Sequence, residues 1–223
     1  MTDNKTLDRS AAVTRSLLGY GIIVGPIYLL VGIAQGLVRE GFSFARHALS
    51  VLANGPGGWV QVANLAVCGL MVIAAAIGIQ RVIRLQSRAT SWFLGAFGAS
   101  MVLSAIFRAD PMDGFPPGTP LGMPTTISMA GGLHFLFGAL GFIAWGVSAI
   151  LASRAMKRRD EPGLARFSLV AGLVIIIGFF GTVFIPGVGG VAGIWLSVVA
   201  GWTWLAVLSK HLYRVSPDPN CVR

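Results

Sequence analysis

The chain has 223 residues, 55% hydrophobic and 11% charged, with a formal net charge of +9. A soluble domain carries about a quarter charged residues, so this composition excludes a water-facing globule and leaves most of the surface to lipid. The excess of 17 Lys and Arg over 8 Asp and Glu would suggest nucleic acid in a soluble protein; here the basic residues read as membrane topology, and no nucleic-acid partner is expected.

A helix needs about 20 mostly apolar residues to cross the hydrocarbon core. Six stretches qualify: Leu17–Val38, Trp59–Gln80, Ser91–Phe107, Ser128–Leu151, Phe167–Pro186 and Val191–Ser209. The first run is too long for the core of a cleaved signal and reads as a retained helix. The expected fold class is therefore all-α, a six-transmembrane-helix bundle. Residues 1–16 form a cytoplasmic N-terminal tail, 17–209 the transmembrane domain and 210–223 a cytoplasmic C-terminal tail.

Orientation follows from Lys and Arg placement. Fourteen of the 17 lie in the two tails and in the second and fourth connections. Only Arg39, Arg46 and Arg108 lie in the others. This places both termini in the cytoplasm and the chain, as a multi-pass protein, in the plasma membrane. Small residues recur at helical spacing, as in Gly21/Gly25, Gly32/Gly36, Gly178/Gly181 and Gly189/Gly193, and let helices approach closely in lipid. Cys68, in an apolar run, and Cys221, in the tail, support neither a disulfide framework nor a metal cluster.

The stretch Gly41–Leu52 follows the first helix and is too short to span. Read as a short interfacial helix, it puts Ser43, Arg46, His47 and Ser50 on one face and Phe44, Ala48, Val51 and Leu52 on the other. Gln35, Asn64, Ser104, Arg108 and His134 fall at the same level, in the outer leaflet, with Asp110 and Asp113 in the loop above. Polar groups in lipid are costly and tend to face a partner or a cavity. Together they suggest an outward-facing polar site built from Ser43, Arg46, His47, Ser50, Asn64, Arg108, Asp110 and His134. The bland alternative takes each alone: arginines that snorkel, aspartates that cap turns, a histidine bonded to a backbone carbonyl. His47, His134 and Asp110 would also make a mixed set of the kind zinc accepts, although no His-x-x-x-His or Glu-x-x-His spacing occurs. No Gly-rich phosphate loop, Gly-x-Ser-x-Gly elbow or Cys-x-x-Cys is present.

The run Arg46-His47-Ala48-Leu49-Ser50-Val51-Leu52, Trp59 with Asn64, the exit Arg108-Ala109-Asp110-Pro111 and the lone His134 in the fourth helix resemble a bacterial and archaeal membrane family known as domain of unknown function 998. The resemblance implies a six-helix membrane protein and no assigned activity. Membrane hydrolases of the alkaline-ceramidase type offer a thinner likeness, through Ser50, Asp110, His47 and His134, but the last helix supplies only His211. Three functions are thus open: a membrane protein whose polar cavity binds a lipid headgroup or small anionic ligand, for transport or sensing; a metal-dependent membrane hydrolase using His47, His134 and Asp110; or a structural subunit of a membrane complex.

Overall fold

A computed structural model describes residues 8–185 and 187–218. It contains six helices: α1 (Arg9–Val38), α2 (Trp59–Ile83), α3 (Arg88–Ile106), α4 (Met129–Lys157), α5 (Pro162–Phe184) and α6 (Val188–Val215). All six are long and apolar enough to cross a membrane, and the protein is a six-helix membrane bundle. The expected end of the fifth span, Pro186, lies outside the described residues, as do Cys221, Lys5 and Arg223.

Each helix packs on its neighbours in sequence, and α6 returns to α1, so the six close into a ring in chain order. Glycine makes the close contacts. A Cβ on Gly69 (α2) would lie 2.7 Å from the Gly98 carbonyl oxygen (α3), and a Cβ on Gly98 equally close to the Gly69 oxygen. Gly178 and Gly193 pair in the same reciprocal way across α5 and α6. On α1, Gly21 and Gly25 make room for Ser209 and Trp202 of α6, while Gly32 and Gly36 receive Leu49, Phe42 and Phe44 of the following connection. Gly181, by contrast, has open space beside it.

The helices outrun the apolar windows that locate them. α1 begins eight residues before Leu17 because the Asp8 carboxylate accepts from the Ser10 and Ala11 amides, satisfying donors that every helix start leaves open. Ser87 and Ser128 cap α3 and α4 likewise. Where the termini and the 84–87 and 158–161 connections gather, basic side chains also tie helices together. Arg81 donates to Thr14 Oγ1 and Ser10 Oγ, Arg15 to the Ser216 carbonyl, and Arg158 to the Gln86 carbonyl.

The connection between α1 and α2 differs from its expected form. A short helix is present, but it is a 3₁₀ helix over Leu49–Ala53; Phe44–Arg46 form a turn and Ala48 is extended, at φ −73° and ψ 152°. The cause is local. The His47 amide donates back to the Ser43 carbonyl at 2.8 Å, while the Ser43 amide donates to His47 Nδ1 at 3.0 Å. A side chain that captures a nearby amide competes with the helix ladder. Phe42 and Phe44, meanwhile, turn onto Gly36 of α1. Ser43, Arg46 and His47 therefore share no helical face. A test follows from the backbone. A helix-interior proline costs about 3 kcal/mol or more, but Ala48 already has a proline-compatible φ and its N–H donates to nothing among the described residues. Ala48→Pro should leave thermal stability in detergent within about 1 kcal/mol of the parent; a loss near the helix-interior value would contradict this backbone.

Candidate functional site

At the end of the bundle opposite the termini, residues 39–58 and 107–128 pack together as a lid. Arg39, just past α1, donates to the Leu52 carbonyl at 3.3 Å and the Asn54 carbonyl at 2.6 Å, and its guanidinium lies 5.0 Å from the Phe115 ring centre. Partial burial lowers its pKa below the ordinary arginine value; the two carbonyls and the ring face compensate. Asn54 donates to the Ala109 carbonyl, joining the two connections. Phe115 is fully buried, packed against Phe42 and His47. The loop that delivers it turns at Asp113 and Gly114, both at positive φ, a conformation that Asp and Gly adopt more readily than most residues.

His47 is completely buried. Its Nδ1 accepts from the Ser43 amide, so the proton sits on Nε2, which donates to the Asp113 carbonyl at 3.1 Å. Neither nitrogen remains for a metal. Asp110 accepts from the Ser128 amide at 2.9 Å and the Ser128 hydroxyl at 2.5 Å, placing its charge at the start of α4, where the helix dipole favours it. Asp113 accepts from the Gly122 amide. His47, His134 and Asp110 form no ligand set, and no cluster of three or more His, Cys, Asp or Glu that could hold a metal occurs among the described residues. The zinc expectation finds no site here.

The arginines also depart from expectation. Arg46 and Arg108 are exposed. The ion pairs among the described residues, Arg15–Asp218 and His211–Glu161, lie at the opposite end. An exposed Arg46 does not require the carboxylate partner that a buried charge would. Asn64 donates to the Tyr28 carbonyl and to Gln61 Oε1 and stitches α2 to α1. Gln35 donates to the Gly57 carbonyl and anchors the lid.

Beneath the lid, inside the ring, is a cavity with ≈ 100 Å³ of water-accessible space. Leu49 and Ser50 of the 3₁₀ helix line it, with Ser100, Met101 and Ser104 of α3, His134, Gly138 and Phe142 of α4, and Ile194, Trp195 and Val198 of α6. Ala48, Leu65 and a set of aromatic rings make up the rest of the wall. Phe97 stacks on Trp145 at 4.0 Å, Trp145 meets Trp202 edge-on at 4.7 Å, and Tyr28 lies 5.4 Å from Trp202. Gly201 leaves the space that the Trp145 ring fills.

His134 holds the α3 side of the cavity. Its Nδ1 lies 2.8 Å from the Phe107 carbonyl and 3.2 Å from the Ser104 carbonyl. Carbonyls only accept, so Nδ1 carries a proton and caps the end of α3, where helix carbonyls lack partners. Nε2 has no hydrogen-bond partner among the described residues. The buried indole N–H groups of Trp145 and Trp202 also lack one there, but neither atom is accessible to water.

A family model described as "Protein of unknown function (DUF998)" matches residues 22–211. The chain belongs to the DUF998 family. No curated protein and no solved structure matches it. Of the eight site residues expected from sequence, only Ser50 and His134 line the cavity of this DUF998 protein; Ser43, Arg46, His47, Asn64, Arg108 and Asp110 do not. The residues missed are Trp145, Trp202 and Phe115. For the tryptophans a signal existed. Trp in membrane proteins concentrates at the two interfaces, as exposed Trp59 and Trp92 at helix starts do here, whereas Trp145 stands 16 residues into the 29 of α4.

Proposed function

We propose that this DUF998 protein is a plasma-membrane receptor or carrier for a small, largely apolar molecule, bound in the central cavity on the extracytoplasmic side. The observation that carries the reading is an apolar cavity lined by His134, Ser50 and Ser104, in which His134 spends Nδ1 on the α3 carbonyls and Nε2 has no hydrogen-bond partner among the described residues. Buried polar groups in native proteins are overwhelmingly paired, and apolar cavities with a few convergent polar groups are the usual form of ligand sites. The lining contains no Asp, Glu, Lys or Arg, so an anionic headgroup is not what the cavity itself would hold; exposed Arg46 and Arg108 are free to meet one outside the lid.

Photoaffinity labelling in lipid vesicles with a diazirine-bearing medium-chain alcohol tests this. Label should appear in Phe97–Ser104 and His134–Trp145. It should be lost in Gly138→Leu, a position that lines the cavity and has no atom within 4 Å of an added Cβ. Label confined to lipid-facing residues would contradict the reading. Orientation is checked separately. With Cys221 replaced, an impermeant thiol reagent added to intact cells should modify Thr126→Cys and not Arg158→Cys. The reverse would place the cavity on the cytoplasmic side.

A further inference from the structure

We infer that the cavity selects a neutral alcohol over anionic, cationic and purely hydrogen-bond-accepting amphiphiles, an inference that rests on the cavity being a ligand site. The argument turns on which proton His134 can offer. Its Nδ1 proton is committed to the Phe107 and Ser104 carbonyls of α3. In the neutral ring Nε2 then has a lone pair and no proton. The polar atom it presents to a ligand is an acceptor, fixed in position because the ring is pinned from its far side.

A ligand group satisfying Nε2 must therefore donate. A carboxylate or phosphodiester has no proton to give and would set its lone pairs against that of Nε2. An ether or ester oxygen fails for the same reason. A protonated amine could donate, but it would bring a charge into a lining with no carboxylate, and an unpaired buried charge costs several kcal/mol. A hydroxyl donates, is uncharged and retains lone pairs that accept. The Ser50 and Ser104 hydroxyls are also in the wall and can supply the complementary donor. The Ser100 proton is already used on the Phe97 carbonyl, at 2.7 Å. The remaining wall of Leu, Met, Phe and Trp side chains suits the hydrocarbon part of such a molecule.

The test compares three diazirine photoprobes of one chain length, bearing a terminal hydroxyl, methyl ether or carboxylate. Labelling is carried out in vesicles at about pH 8, above the ordinary histidine range. The alcohol should label Phe97–Ser104 and His134–Trp145 about tenfold more than the ether at equal concentration, the ratio one buried hydrogen bond supports, and the carboxylate should label least. His134→Phe should bring the alcohol down to the ether level. The wild-type comparison stands by itself if that variant does not fold. Equal labelling by alcohol and ether, or preference for the carboxylate, overturns the inference and leaves the cavity as a ligand site. No cavity labelling by any of the three removes both.

Discussion

Phe115→Ala should open the lid and cost about 3–5 kcal/mol, the range for deleting a buried phenylalanine side chain. Phe115 has no exposed surface although it sits in a loop. It is the piece that residues 107–128 insert between Phe42, His47 and Arg39. Its removal leaves the Arg39 guanidinium without the ring face and His47 without one wall. The Asp113 carbonyl that receives His47 Nε2 sits two residues before Phe115, so that hydrogen bond weakens as well. The ring of six helices does not depend on this contact. The loss should therefore appear as local opening: faster proteolysis within 107–128 and faster amide exchange at Ser43 and His47, with the helices still protected. Unchanged protection of the loop in Phe115→Ala would show that the lid is held by something else.

Gly98→Val should disrupt the bundle itself. A Cβ there falls 2.7 Å from the Gly69 carbonyl oxygen and 3.1 Å from the Ile73 amide nitrogen. Both are backbone atoms of α2 and cannot rotate away, unlike a side-chain tip. Overpacking typically costs about 1–3 kcal/mol; a β-branched residue against backbone on both sides belongs at or above the top of that range. Gly95, one turn earlier on α3, is the control. An added Cβ there approaches nothing closer than Ala76 Cβ at 4.0 Å, and alanine gains about 1 kcal/mol over glycine in a helix. Thermal unfolding in detergent should show Gly98→Val well below the parent and Gly95→Ala at or above it. Equal behaviour of the two would mean that α2 and α3 are not in backbone contact.

The helices were legible because crossing hydrocarbon demands a long apolar run, and each run left a clear trace in the sequence. Their ends were less so, since the apolar window stops at the hydrocarbon boundary while caps such as Asp8 and Ser87 carry the helix further. The level at which polar residues collect was also readable: Gln35, Asn64, Asp110, Asp113, His47 and His134 do gather toward one end. What each does there was not. Spacing alone cannot show that His47 spends both nitrogens on backbone groups, or that Asp110 reaches Ser128, 18 residues on. The cavity is less legible still. Its wall joins Tyr28, Ser50, Ser104, His134 and Trp202 from one end of the chain to the other, and only ring closure of α6 onto α1 brings them together.

Whether the cavity under the lid holds a ligand can be read from an experimental structure in lipid with a bromine-tagged medium-chain alcohol, through the bromine's anomalous scattering. A bromine peak is expected inside the ring, among Phe97, Trp145 and Trp202, with the hydroxyl toward His134 Nε2, and no such peak in Gly138→Leu. Bromine found only along the lipid-facing surfaces of the helices, with the interior unoccupied in both proteins, would contradict ligand binding in the cavity.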